Sequence, residues 1–173
     1  LLGALTPIAG AEVQGRLRVA ALAAIAASTA DTWAAELGAL SRSRPRMVTN
    51  PRREVEPGTS GGVTALGELG SAAGSALIAL TLYPASLLGG GAPSPELAAL
   101  VFLLGWLGEL LDSVIGATLQ RKYYCPVCSV LTDKEVHKCG ATTERAGGFS
   151  VVTNEVTNLL ATSAVALLGY LAA

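Results

Sequence analysis

The sequence predicts an all-α, polytopic transmembrane helix bundle, and three observations carry that expectation. Hydrophobic residues make up 51% of the chain, charged residues only 14%, and the mean hydropathy is +0.50, whereas an average soluble domain carries about 25% charged residues. Four stretches approach the ~20 apolar residues that a bilayer crossing requires. Basic residues alternate between the connecting loops, as a strict topology demands. The 173 residues suit one domain of four to five spans with no second globular unit. Aromatics are scarce at 5%, and Ala, Gly and Leu supply the apolarity, which favours helices packed closely through small residues. A net charge of −1 leaves no basic face for nucleic acid.

In chain order, residues 1–10 form a partial apolar run that begins without Met, so the single transmembrane domain 1–173 is expected to lack upstream spans. No charged segment precedes an apolar one with a cleavage site, and a signal peptide is not supported. The clear spans are 19–40, 62–82, 97–120 and 154–171. The loop 41–61 contains Arg42, Arg44, Arg46, Arg52 and Arg53, the Gly- and Pro-rich loop 83–96 has no basic residue, and 121–153 contains Arg121, Lys122, Lys134, Lys138 and Arg145. The positive-inside rule places 41–61 and 121–153 in the cytoplasm. Arg16 and Arg18 oppose that rule, so the first helix is expected to be re-entrant at its start or to follow a missing partner.

The spans contain acids. Asp31 and Glu36 lie in the first and Glu109 and Asp112 in the third; a central Asp costs about 2.5 to 3.5 kcal/mol on insertion, so such groups face a protein interior or a wet cavity. Helical spacing puts Gly105, Glu109, Asp112 and Gly116 on one face, with Ser113 beside them, and Ser28, Asp31, Thr32 and Ala35 in one stripe with Glu36 next to Thr32. Asn154 and Asn158 are four apart in the last span, and Gly67, Gly70, Ser71, Gly74 and Ser75 make a small-residue seam in the second. These polar stripes all fall in the cytoplasmic halves of their helices, which implies one shared site. Glu68 and Glu155, near helix ends, read better as structural acids, hydrogen-bonded to a neighbouring helix or snorkelling to the interface. Asp31 and Asp112, with Asn154, are hard oxygen donors of the kind Mg²⁺ takes while binding a substrate phosphate; the alternative is carboxylates hydrogen-bonded to neighbouring helices.

After the first span come five arginines and then Pro57, Gly58, Thr59, Ser60, Gly61 and Gly62, leading into a helix. Such backbone exposes N–H groups at the positive end of a helix dipole, and Arg52 or Arg53 could clamp phosphate oxygens. A plain turn with topogenic arginines is the alternative, and no Lys follows the glycines as in a Walker A loop.

The insertion 121–149 holds Cys125 and Cys128 as Cys-x-x-Cys and His137 and Cys139 as His-x-Cys, all three cysteines and the only histidine of the chain. In a reducing cytoplasmic loop these four are ligands for a structural Zn²⁺ that could hold the loop over the site; a redox pair or unligated thiols are the alternatives.

ADTWAAELG at 30–38, VEPGTSGGVTALG at 55–67, DSVIGATLQ at 112–120 and TNEVTN at 153–158 resemble, in order and spacing, the integral membrane family called domain of unknown function ninety-two, the transmembrane protein nineteen and phytyl-phosphate kinase family. The likeness covers nearly the whole chain. It implies that Asp31, Glu36, Gly58, Thr59, Gly61, Gly62, Asp112, Asn154 and Asn158 form the functional centre; Ala35, Ser60 and Glu155 depart from the family's usual Ser, Asn and Asp. One branch of that family phosphorylates phytyl phosphate to the diphosphate, and polyprenol and phytol kinases similarly carry an intramembrane Asp followed by a basic loop and a Gly-containing turn. The expected function is therefore transfer of a phosphoryl group from a nucleoside triphosphate, CTP or ATP, to an isoprenoid alkyl phosphate in the lipid bilayer, with Mg²⁺ as cofactor. An ion-coupled transporter and a membrane protein without enzymatic activity are the competing classes, and a homo-oligomer is left open.

Overall fold

The computed structural model describes residues 10–92 and 94–173; the partial apolar run at 1–9 lies outside them. Helix α1 is Ala11–Ala39, α2 is Ala65–Leu80, α3 is Leu82–Leu88, α4 is Pro95–Thr118 and α5 is Asn154–Ala172. Three stretches are long and apolar enough to cross a membrane: Ala65–Leu88, Pro95–Thr118 and Asn154–Ala172. The fourth expected span, α1, is longer and more polar. It is one continuous 29-residue helix containing Arg16 and Arg18, not a re-entrant start. Arg16 pairs with Glu12 at 3.1 Å and lies over the Tyr170 ring of α5.

The remaining boundaries follow local chemistry. Thr64 caps α2 by accepting from Gly67 N at 3.0 Å, so that helix starts three residues later than its apolar run. Pro84 has no N–H to continue the ladder of α2, and the chain breaks at Thr81 before resuming as α3, inside the expected loop 83–96. Ser94 caps α4 by accepting from Leu97 N at 3.1 Å, with Pro95 in the first turn.

α1 and α4 form the central pair, with α2 and α5 packed against both. The interior is built of small residues: Ala23 and Ala27 of α1 meet Leu104 of α4 and Val165 of α5, while Ala26 meets Ala79 of α2 and Ala98 and Val101 of α4. Gly70 lets α2 approach α1 so closely that a Cβ there would lie 2.6 Å from the carbonyl oxygen of Trp33. Large side chains instead point outward: Ile25, Leu69, Leu80, Leu103, Leu159, Leu167 and Leu171 are all more than half exposed. An apolar exterior around a small-residue interior is the arrangement a helix bundle needs in lipid.

The expectation of an all-α chain needs correction, because each polar loop folds into a small antiparallel sheet. The first contains β1 (Arg46–Met47), β2 (Asn50–Glu54) and β3 (Gly62–Val63), in the order β2-β1-β3; the second contains β4 (Lys122–Cys125), β5 (Val130–Thr132) and β6 (Glu144–Gly147), in the order β5-β4-β6. The first loop joins α1 to α2 and the second joins α4 to α5, so both lie at one end of the bundle. Contacts between them fasten the pair: Ser60 N donates to Asp133 Oδ2 at 2.9 Å, and Lys122 Nζ donates to the Ser60 carbonyl at 2.8 Å.

Candidate functional site

At the loop-bearing end each of four helices brings carboxylate to one cavity of about 510 Å³: Asp31 from α1, Glu68 from α2, Glu109 and Asp112 from α4, and Glu155 from α5. The glycine turn 57–62, Arg121, Asp133 and Asn154 also line it. Glu109 is only 3% exposed and accepts from Ser113 Oγ at 3.0 Å and from Ser71 Oγ at 3.3 Å. Trp106 Nε1 donates to Glu68 Oε2 at 3.3 Å, tying that half-buried acid to the neighbouring helix α4.

Three buried acceptor oxygens have no hydrogen-bond partner among the described residues: Asp112 Oδ1, Gln120 Oε1 and Asp133 Oδ1. All three residues line the same cavity. Leaving a buried acceptor unpaired costs about 1 to 3 kcal/mol, more for a charged group, and hard cations take oxygen ligands of this kind.

The glycine turn departs from the expected phosphate cradle. It does not run straight into a helix, because β3 intervenes before α2. Thr59 N donates to the Glu56 carbonyl at 3.1 Å, Gly62 N to the Thr59 carbonyl at 2.9 Å, and Ser60 N to Asp133. Three donors of the turn are thus already engaged, and a carboxylate occupies the place of an anion at Ser60. Gly61, at φ +76°, lies so close to Ala117 of α4 that a Cβ would be 2.7 Å from its Cα, which seats the turn directly on the helix bundle.

The structure brings Asp31, Asp112, Asn154, Gly58, Thr59, Ser60, Gly61 and Gly62 to the one cavity. Asn158 lines a smaller adjoining cavity of about 110 Å³ together with Asp31 and Asp112. Glu36 lines neither and is exposed: five residues beyond Asp31 at ~100° per residue is about 140° around the helix. Arg52 and Arg53 also stay outside, exposed on β2, because β2 is the strand of its sheet farther from β3, which meets α4. Arg121 is the arginine that lines the cavity. Sequence reasoning had placed Glu109 on the right face without taking it into the centre. Arg121, at the junction of α4 with its loop, was counted for topology only.

The second loop assembles a separate cluster. The ligand atoms of Cys125, Cys128, His137 and Cys139 all lie within 4.8 Å of one another. Cys125 Sγ is 3.7 Å from Cys139 Sγ, and His137 Nδ1 is 3.2 Å from the same sulfur. Contact with His137 lowers the Cys139 thiol to about 6, and Cys139 in turn raises His137 above its usual value. His137 Nε2 lies 2.9 Å from Glu56 Oε2, and Lys138 Nζ is 3.0 Å from Glu56 Oε1. Those two cationic partners hold the Glu56 carboxyl below its ordinary range, His137 contributing most. Glu56 is the residue immediately before the glycine turn.

Apolar helices of spanning length enclosing a ring of carboxylates define an integral membrane protein. The chain belongs to the family described as Integral membrane protein DUF92, whose profile matches residues 3–166. It is 36% identical over 136 residues to Protein PGR of Arabidopsis thaliana, covering 75% of this chain and 46% of the relative. It is also 39% identical over 101 residues to an uncharacterized membrane protein of Methanocaldococcus jannaschii, covering 58% of this chain and 40% of the relative. The chain thus spans less than half the length of these two curated relatives. No solved structure matches it.

Proposed function

We propose that the protein is a membrane-embedded kinase that transfers a phosphoryl group from a cytoplasmic nucleoside triphosphate, CTP or ATP, to an isoprenoid alkyl phosphate. The observation that carries this reading is the cavity in which carboxylates of four helices line one space with Arg121 and a glycine turn, with unpartnered oxygens on Asp112, Asp133 and Gln120. Six acids line that space, and a cation seated among them would relieve their mutual repulsion. Asp31, Asp112 and Asn154 would hold Mg²⁺, which would neutralise phosphate charge. Arg121 can grip phosphate oxygens bidentately. The acceptor phosphate is already an anion, so positioning and charge neutralisation suffice without a general base.

In this reading α1 crosses the membrane as a fourth span, with Asp31 shielded by its neighbouring helices. Five basic residues in each of the loops 41–61 and 121–153, against none in 83–96, support a cavity mouth on the cytoplasmic side. The prenyl tail lies along the outward leucines. A second reading, an ion-coupled carrier, is favoured by the smaller cavity that continues past Asp31 and Asp112 to Asn158.

The deciding assay incubates the full protein in detergent with Mg²⁺, a labelled nucleotide and phytyl or geranylgeranyl phosphate. The expected result is a labelled lipid diphosphate that disappears with Asp31→Asn and Asp112→Asn. No diphosphate from either lipid with CTP or ATP overturns the kinase, and ion flux into proteoliposomes in its absence would establish the carrier.

A further inference from the structure

The Cys/His cluster lies outside the carboxylate cavity, and its geometry can be compared with what a metal requires. Four-coordinate zinc binds thiolate sulfur at about 2.3 Å and imidazole nitrogen at about 2.0 to 2.1 Å, which sets tetrahedral sulfurs ~3.8 Å apart and sulfur ~3.5 Å from nitrogen. The 3.7 Å between Cys125 and Cys139 matches the first value, and the 3.2 Å between His137 and Cys139 lies slightly inside the second. A disulfide needs sulfurs about 2.05 Å apart, and all three cysteines are free.

Two tight turns present these ligands in pairs. Cys125 and Cys128 sit where β4 turns into β5, closed by Ser129 N donating to the Cys125 carbonyl at 2.8 Å. His137 and Cys139 sit on a second turn, closed by His137 N donating to the Ala141 carbonyl at 2.9 Å and Gly140 N to the His137 carbonyl at 2.8 Å. Gly140 takes φ +86°, which a side chain would strain. Both turns are shaped by their own backbone bonds, so the ligands are held in advance.

An imidazole that binds metal through one nitrogen usually gives its other N–H to a carboxylate, which fixes the tautomer and the ring orientation. Glu56 does this for His137, and it comes from the other loop.

We propose that Cys125, Cys128, Cys139 and Nδ1 of His137 bind one Zn²⁺ ion, and that Glu56, bonded to Nε2, is a positioning residue through which the metal fastens the glycine turn 57–62 to the second loop. Four protein ligands fill the coordination shell, so the ion is structural. The inference is independent of the reaction assigned to the carboxylate cavity.

The full protein purified in detergent without added metal is unfolded, and released zinc is measured with a chromogenic chelator. One equivalent per chain is expected, with Cys128→Ser losing the metal and Cys128→His retaining it. Cobalt added to the metal-stripped protein should give the intense visible bands of a tetrahedral thiolate site. Glu56→Ala should keep the cobalt spectrum, weaken affinity about 10- to 100-fold, and speed hydrogen exchange across 57–62; Glu56→Gln should restore part of both losses. Absence of metal together with no cobalt spectrum, or a Cys125–Cys139 disulfide in the freshly isolated protein, overturns the site. Unchanged affinity and exchange in Glu56→Ala overturns the coupling.

Discussion

Glu109 shows how much of a polar membrane interior depends on one or two hydroxyls. Its carboxylate is buried in α4 and receives one donor from its own helix, Ser113, and one from α2, Ser71, which is fully buried. Removing the second donor leaves an acid oxygen short of a partner where water cannot easily replace it. Ser71→Ala is expected to cost about 1 to 3 kcal/mol, read as a lowered melting temperature in detergent, while Ser86→Ala on exposed α3 leaves it unchanged. Helical spacing alone placed Glu109 beside Asp112. That Ser71 completes its bonding depends on how α2 is rotated against α4, which no single segment specifies. Glu36, which its place next to Thr32 and the family motif joined to Asp31, lines neither cavity, because 3.6 residues per turn aim it elsewhere.

Among elements, α2 carries the clearest sequence signature and the tightest packing. The seam of Gly67, Gly70 and Gly74 faces backbone carbonyls of α1 at Ala34, Trp33 and Thr29. A methyl at Gly70 would meet a carbonyl oxygen that cannot rotate aside. Gly70→Ala is therefore expected to destabilise by about 1 to 3 kcal/mol through overpacking, whereas Gly15→Ala, with nothing within 4 Å of its new carbon, should be neutral or mildly stabilising; thermal unfolding of both variants checks the contrast. The two loop sheets were illegible for a physical reason. Their strands are two to five residues long, and β2 is exposed along its whole length, so no alternation of apolar and polar residues marks them. Long-range pairing, and not local pattern, makes them strands.

At the scale of the whole molecule, both basic loops share one end and the loop around Ala92 marks the other. Topology is thereby open to a direct measurement. A membrane-impermeant maleimide should label Ser43→Cys only when it reaches the cytoplasmic face and Ala92→Cys only from the opposite face, each compared with the parent protein's background. Labelling of both positions from the same face would contradict the arrangement. Measuring apolar runs was enough to anticipate the three most apolar helices, since bilayer thickness acts on each segment separately. Helical spacing paired Asp31 with Asp112, but that Glu68 and Glu109 join them in the cavity depends on how the helices rotate against one another.

The central place of α1 has a consequence for biogenesis. Of the helices described, α1 leaves the ribosome first, yet the residues that cover Asp31 belong to segments made afterwards. A lone helix with an acid near its middle inserts at a penalty of about 2.5 to 3.5 kcal/mol, and the partners that relieve it, α4 and α5, are more than sixty residues downstream. On the proposed reading of α1 as a span, the most polar helix would therefore wait in the translocon, or at the membrane surface, until the more apolar ones arrive to enclose it.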